Sequence, residues 1–268
     1  MNLLDQLNPQ QREAVETIEG PVLILAGAGS GKTRVITYRL AYLIEYCGVS
    51  PANVLAVTFT NKAAQEMRDR IGALLSKTFH GASGDRAWVS TFHSFCVRLL
   101  REDGPRIGLH RDFSIYDEND QLTVVKNCLR HLGLTEREVR SRAVLSRISQ
   151  AKNTGRTPEA IFEGAADPIA EKISVVYGMY NKALKEASAL DFDDLLLEAV
   201  RLLSQDADAA LKYNQRFLYI LVDEYQDTNR SQYDLVRLLT QTSQNLCVVG
   251  DEDQSIYSWR GADIRNIV

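Results

Sequence analysis

The segment Ala26-Gly27-Ala28-Gly29-Ser30-Gly31-Lys32-Thr33 follows an apolar run, Val22 to Leu25, and leads at once into a helical pattern at Arg34, Val35 and Ile36. Small residues let successive backbone N–H groups point at phosphate oxygens, and the following helix adds its positive end. In this context, a P-loop between strand and helix, Lys32 reaches the β and γ phosphates of a nucleotide and the Thr33 hydroxyl ligates Mg²⁺. Ala26 stands where the strict pattern has glycine; that position opens the turn, where a methyl should be tolerated.

A second apolar run, Leu218 to Val222, ends in Asp223-Glu224-Tyr225-Gln226-Asp227. Two adjacent carboxylates at a strand end beside a P-loop divide the work of phosphoryl transfer. Asp223 would hold Mg²⁺, and Glu224 would orient and deprotonate the attacking water. Gln254, after the run Leu246 to Val249, is placed either to sense the γ phosphate or to cap its loop. The four histidines, His80, His93, His110 and His131, have no metal-ligand spacing, so a zinc hydrolase or nuclease has no support.

Aromatic residues stand just past several of the same runs. Phe59, Thr60 and Asn61 follow Val54 to Thr58, with Asn61 a candidate helix cap. Thr91, Phe92 and His93 follow Trp88 to Ser90, and Tyr257, Trp259 and Arg260 follow the last run. Aromatics at such loops can stack bases without reading sequence, and polar neighbours suit phosphate oxygens. The same aromatics would serve equally as core, and the residues alone leave both readings open.

These groups need a frame to bring them together. Five short runs rich in β-branched or large apolar residues, mostly followed by helical patterns, predict an α/β fold: a parallel sheet with helices on both faces and its ligand loops at the carboxyl ends of the strands. Between the third and fourth runs, from about residue 106 to 199, helix signals dominate. Asp117 and Asp191 are candidate caps, Thr135 and Glu138 form a capping box, and Thr157-Pro158 and Asp167-Pro168 each place a cap before a first-turn proline. The expected division is a sheet domain in two parts, 1–105 and 200–268, interrupted by an all-helical insertion, 106–199. Arg137, Arg140, Arg142, Arg147, Lys152 and Arg156 make one stretch of the insertion basic, either a solvated face or a phosphate-tracking surface.

The 268 residues carry 31 Lys plus Arg, 35 Asp plus Glu, a net charge of −4 and 45% hydrophobic residues, an ordinary globular composition. The longest strongly apolar stretch, Val22 to Ala26, is far below the roughly 18 residues a membrane span needs, and no charged-then-apolar leader opens the chain, so a cytoplasmic protein without membrane association is expected. Cys47, Cys96, Cys128 and Cys247 are scattered, as reduced thiols would be. The acidic total excludes a uniformly basic coat but not a basic groove.

Seven segments, LNPQQ, AGAGSGKTR, TFTNKAAQEM, STFHSF, LDFDDLL, VDEYQDTN and VVGDEDQSIYSWRGAD, occur in an order that resembles the superfamily 1 DNA helicases of the UvrD, PcrA and Rep type, from Leu7 to Asp263. The resemblance implies a RecA-like P-loop NTPase domain and a motor that couples ATP hydrolysis to 3′ to 5′ movement on single-stranded DNA, opening duplex at single-strand to double-strand junctions in repair and replication. It implies ATP and Mg²⁺, Gln11 as the residue that reads adenine, and Arg34 as a nucleotide contact. An amide can both accept from N6 and donate to N7, although Asn8 and Pro9 also read simply as a helix start. Phe59, Tyr257 and Trp259 match single-strand contacts, and Phe192 matches a further DNA-side motif or is a staple at a helix start. Such motors carry a second RecA-like domain with an adenine-stacking tyrosine and γ-phosphate arginines. The chain reaches only Val268, so the expectation is an amino-terminal part, a monomer or weak dimer that binds nucleotide and DNA but hydrolyses ATP slowly. A regulatory nucleotide- or DNA-binding module and the amino-terminal piece of a helicase-nuclease are the alternatives.

Overall fold

The computed structural model describes residues 3–27, 29–75, 87–162 and 168–251. Its strands are β1 (Val22–Leu25), β2 (Val54–Thr58), β3 (Trp88–Thr91), the two-residue β4 (Ser114–Ile115) and β5 (Ala189–Leu190), β6 (Tyr219–Val222) and β7 (Leu246–Gly250). The helices are α1 (Pro9–Glu16), α2 (Lys32–Glu45), α3 (Asn61–Leu75), α4 (Phe92–Asp103), α5 (Glu118–His131), α6 (Ser141–Asn153), α7 (Pro158–Phe162), α8 (Pro168–Glu186), α9 (Phe192–Gln205), α10 (Ala207–Arg216) and α11 (Arg230–Leu239). All five expected runs become strands of one parallel sheet, ordered β1-β7-β6-β2-β3.

Period-two alternation in the buried strands sorts the core into two layers. Val54, Ala56, Leu221 and Val249 meet Ile36 and Leu40 of α2 and Met67 and Ile71 of α3. Leu55, Val57, Ile220 and Val222 meet α4, α9 and α11 through Phe95, Leu99, Leu195, Leu202, Leu235 and Leu239. Each of these valine, leucine, isoleucine, methionine and phenylalanine side chains removed from water contributes about 1.5–3 kcal/mol before entropy is counted.

The insertion has its own core, drawn from Leu122 and Val125 of α5, Val144 and Ile148 of α6, and Val176 and Tyr180 of α8. Its neck holds the strand pair that the sequence did not signal. β4 and β5 pair in parallel, Ser114 with Ala189 and Ile115 with Leu190, and clip the two crossing points together. α9 runs through residue 199, the expected edge of the insertion, and its apolar face (Leu195, Leu196, Ala199, Leu202) packs in the sheet's core.

Local expectations fare unevenly. Asp117 and Asp191 do cap α5 and α9, each in a reciprocal box with the residue three further on, Asp120 and Asp194. The Thr157 hydroxyl accepts the Ala160 N–H at the start of α7; Asp167 lies outside the described residues. Thr135 and Glu138 form only half of the expected box: the Glu138 carboxylate accepts both the Thr135 N–H and the Thr135 hydroxyl, while the Glu138 N–H donates to the Thr135 carbonyl and closes a single turn. That stretch has only Val139 to bury, and α6 starts later at Ser141, whose N–H donates to Glu136. The cap of α3 is Thr60, whose hydroxyl accepts the Ala63 N–H at 3.1 Å; Asn61 is the first helical residue.

Candidate functional site

Parallel pairing sends every strand's carboxyl end to the same edge of the sheet, and the register aligns them. Leu25 pairs with Gly250, Val222 with both Val57 and Val248, and Thr58 with Thr91. The loops after β1, β6 and β7 therefore meet, although 190 or more residues separate Thr33 and Lys32 of the first from Asp223 and Asp251 of the other two. At that meeting the Thr33 hydroxyl donates to Asp223 Oδ2 at 3.3 Å and Lys32 Nζ bonds Asp251 Oδ2 at 2.9 Å.

The P-loop takes its shape from glycine. Gly29 (φ 74°) and Gly31 (φ 89°) occupy the left-handed region. A Cβ on Gly31 would also lie 2.9 Å from Gln11 Nε2. Gly27, Gly29 and Ser30 are open to solvent, Ala26 continues the sheet by donating to Gly250, and Ala28 lies outside the described residues. Asp223 is 3% exposed, and burial, with the Glu224 charge second, pushes its carboxyl up to about 6. A buried carboxylate touching a threonine hydroxyl is a hard oxygen donor set, which suits Mg²⁺ and leaves remaining positions for water and phosphate. No group of three or more His, Cys, Asp or Glu arranged to hold a metal ion occurs among the described residues.

Glu224 sits at φ 51°, a left-handed conformation uncommon for a residue with a side chain. Its Oε2 accepts from Gln226 Nε2 at 2.7 Å, and Gln226 Oε1 accepts the Asp251 N–H at 3.0 Å. A continuous hydrogen-bonded path thus runs from Glu224 through Gln226 and Asp251 to Lys32. Neither Gln226 nor Asp251 received a role from sequence. Asp251 reaches the P-loop because β7 pairs with β1, a neighbourhood that only the sheet order shows.

Gln11 is placed beside the P-loop. Its Oε1 accepts the Asn8 N–H at 3.2 Å within a capping box, and its Nε2 donates to the Ser30 carbonyl at 3.0 Å. The helix-start reading of that segment is therefore met, and the same side chain reaches the P-loop. Arg39, which sequence reasoning passed over, is 2% exposed and donates to the carbonyls of Ala14, Thr17 and Ile18, pinning the end of α1. Arg34 is exposed, donates to the Gln6 carbonyl at 2.7 Å and lies over the Tyr38 ring.

The aromatic candidates separate. Phe192 at the start of α9 is 48% exposed, with His93 of α4 edge-on at 5.7 Å. Phe59 is half-buried with its ring against Phe92, and Thr60 and Asn61 are exposed beside it. Phe92 is only 2% exposed, so it is a core residue and offers no free face for a base. Thr91 is likewise buried, accepting the Ser94 N–H as the cap of α4. Gln254, Tyr257, Trp259 and Arg260 lie outside the described residues.

The UvrD/REP helicase N-terminal domain matches residues 7–268, nearly the whole chain. The chain belongs to that family. Similar proteins include the ATP-dependent DNA helicase PcrA of Bacillus subtilis (strain 168), 51% identical over 266 residues, which cover 99% of this chain and 35% of the relative. PcrA of Staphylococcus aureus (strain Mu50) is 49% identical and PcrA of Staphylococcus epidermidis 48%, each with 36% of its length covered. The chain thus spans about a third of the length of these relatives. UvrD/REP membership accounts for the RecA-like P-loop fold, a parallel sheet carrying its nucleotide loops on one edge. No helix among the described residues is long and apolar enough to cross a membrane.

Proposed function

We propose that the chain is the nucleotide-binding part of an ATP-dependent DNA helicase, a motor that moves 3′ to 5′ on single-stranded DNA in the cytoplasm during repair and replication. The observation that carries this reading is the convergence of Lys32, Thr33, Asp223 and Glu224 on one sheet edge, beside exposed Phe192, Thr60 and Asn61. Residues 1–105 and 200–268 form the RecA-like domain, joined by the part of α9 before residue 200 that packs on its sheet, and α5 to α8 form the insertion.

In this reading the P-loop N–H groups and Lys32 hold the phosphates, Gln11 turns from Ser30 to the adenine, and Thr33 with Asp223 holds Mg²⁺. Bound Mg²⁺ supplies charge neutralisation on the phosphate oxygens. Glu224, fixed by Gln226, orients water and accepts its proton. Gln254 senses the γ phosphate, and Phe59, Phe192, Tyr257, Trp259 and Arg260 line the single-strand track. A second RecA-like domain supplies the arginines, worth about 10³ to 10⁵ in rate in related chemistry. The chain alone, as a monomer or weak dimer, therefore binds both ligands and turns over slowly.

Fluorescence anisotropy with a labelled oligothymidylate, together with phosphate release, tests the proposal. The chain should bind the oligomer with an affinity that falls as salt rises and is weakened by Phe192→Ala, with little DNA-stimulated hydrolysis. Absence of binding refutes the track. Rapid stimulated turnover refutes the need for a second domain.

A further inference from the structure

The last turn of α6 carries two residues that reach in different directions. Lys152 is 2% exposed, an ammonium among carboxylates of the α9 start: Nζ lies 2.7 Å from Asp191 Oδ2 and 2.6 Å from Asp194 Oδ1. Tyr180 of α8 donates to the same Asp191 oxygen at 2.8 Å. Burial pulls the Lys152 ammonium down, but Asp194 and Asp191 outweigh it and hold it above its ordinary value, so it stays charged. Asp191 and Asp194 are also the capping box of α9, so Lys152 fixes the turn from which Phe192 projects.

Asn153, the next residue, bridges two elements with one amide. Its Nδ2 donates to Asp193 Oδ1 at 2.9 Å, and its Oδ1 accepts from Asn229 Nδ2 at 2.8 Å. Asn229 caps α11 in a box with Gln232 and ends the tight turn that begins at Glu224, closed by the Asp227 N–H on the Glu224 carbonyl and the Thr228 hydroxyl on the Tyr225 carbonyl. One helical turn of the insertion therefore grips both the base of the exposed Phe192 and the far end of the loop that aims Glu224.

We infer that Lys152 and Asn153 are positioning residues, a brace through which the α9 start and the Glu224 loop report to each other whether DNA or nucleotide is bound. The inference rests on the proposed function, since it takes Phe192 as part of the DNA track. Coupling between two sites needs a contiguous element that both bias, and the effect is reciprocal in binding. Asn153 touches α9 and the Asn229 cap at once.

The test is a linkage measurement by titration calorimetry, using a magnesium complex of a non-hydrolysable ATP analogue with and without saturating 16-mer oligothymidylate. In the wild type the oligomer should change the analogue's Kd about fivefold or more. Asn153→Ala should bring that factor close to one while leaving the Kd of each ligand alone within about twofold, an outcome loss of fold would not produce. Asn153→Asp keeps the acceptor for Asn229 but loses the donor to Asp193, and should uncouple the sites too. A folded variant of either kind with the wild-type factor overturns the brace, as does a wild type that binds both probes without linkage. A wild type that fails to bind the oligomer defeats the DNA track itself, a separate result.

Discussion

Asp251→Asn perturbs the contact that holds the P-loop lysine before nucleotide arrives. Lys32 Nζ lies 2.9 Å from Asp251 Oδ2, with side chains only 9% and 4% exposed. Breaking a buried ion pair by removing one partner is worth about 3–5 kcal/mol, but asparagine keeps an acceptor, so the nucleotide-free variant should lose about 1–2 kcal/mol of stability. Nucleotide phosphates give Lys32 a new counter-charge. The wild type must give up its pair to bind and the variant need not, so the same 1–2 kcal/mol appears as Mg-ATP binding about 5- to 30-fold tighter in the variant. Calorimetry gives the affinity and urea denaturation the stability, with the Asp251 N–H to Gln226 bond left intact. A variant as stable as the wild type with unchanged affinity would refute the idea that this pair restrains Lys32. Weaker binding would place Asp251 in the nucleotide-bound site instead.

Gly31→Ala forces a side chain into φ 89° against Gln11 Nε2. It should destabilise the fold by about 1–2 kcal/mol and abolish Mg-ATP binding, read by calorimetry and melting together. Phe217→Ala empties a fully buried site ringed by Trp88, Phe95 and Tyr213 and should lower stability by about 3–5 kcal/mol in urea denaturation. Burial opposes ionisation of Asp103, but hydrogen bonds from Lys212 and Tyr213 win and hold its carboxyl below the ordinary range. The lowered value stabilises the fold above the unfolded pKa of about 3.9 and is lost as pH falls through the folded value. The deficit of Asp103→Asn, about 1–3 kcal/mol, should thus be constant from pH 5 to 7 and shrink below about pH 4.

The sheet and the phosphate loop were legible because short-range chemistry dictates them. Val54-Leu55-Ala56-Val57 is buried on both faces and reads as a continuous apolar run, and Gly29 and Gly31 stand where the chain must turn left-handed. β4 and β5 were not legible, since two residues carry no periodicity and their pairing depends on closure of a neck between residues 114 and 190. Lys152 was misread within a basic run. It continues the buried stripe of Val144, Ile148 and Ala151, a placement that helical spacing could have shown, but its counter-charges lie 39 and 42 residues away. Phe92 illustrates the converse: a motif position and a strand end do not decide whether a ring faces a base or the core.

The central claim is that residues drawn together from β1 and β6 make a Mg-nucleotide site on this chain. Titration of Mg-ATP into the wild type and Lys32→Ala tests it most directly. The account predicts saturable one-to-one binding by the wild type and affinity at least about tenfold weaker in the variant, because a charge-assisted contact to phosphate is lost. Equal binding by both proteins, or none by the wild type, would contradict it.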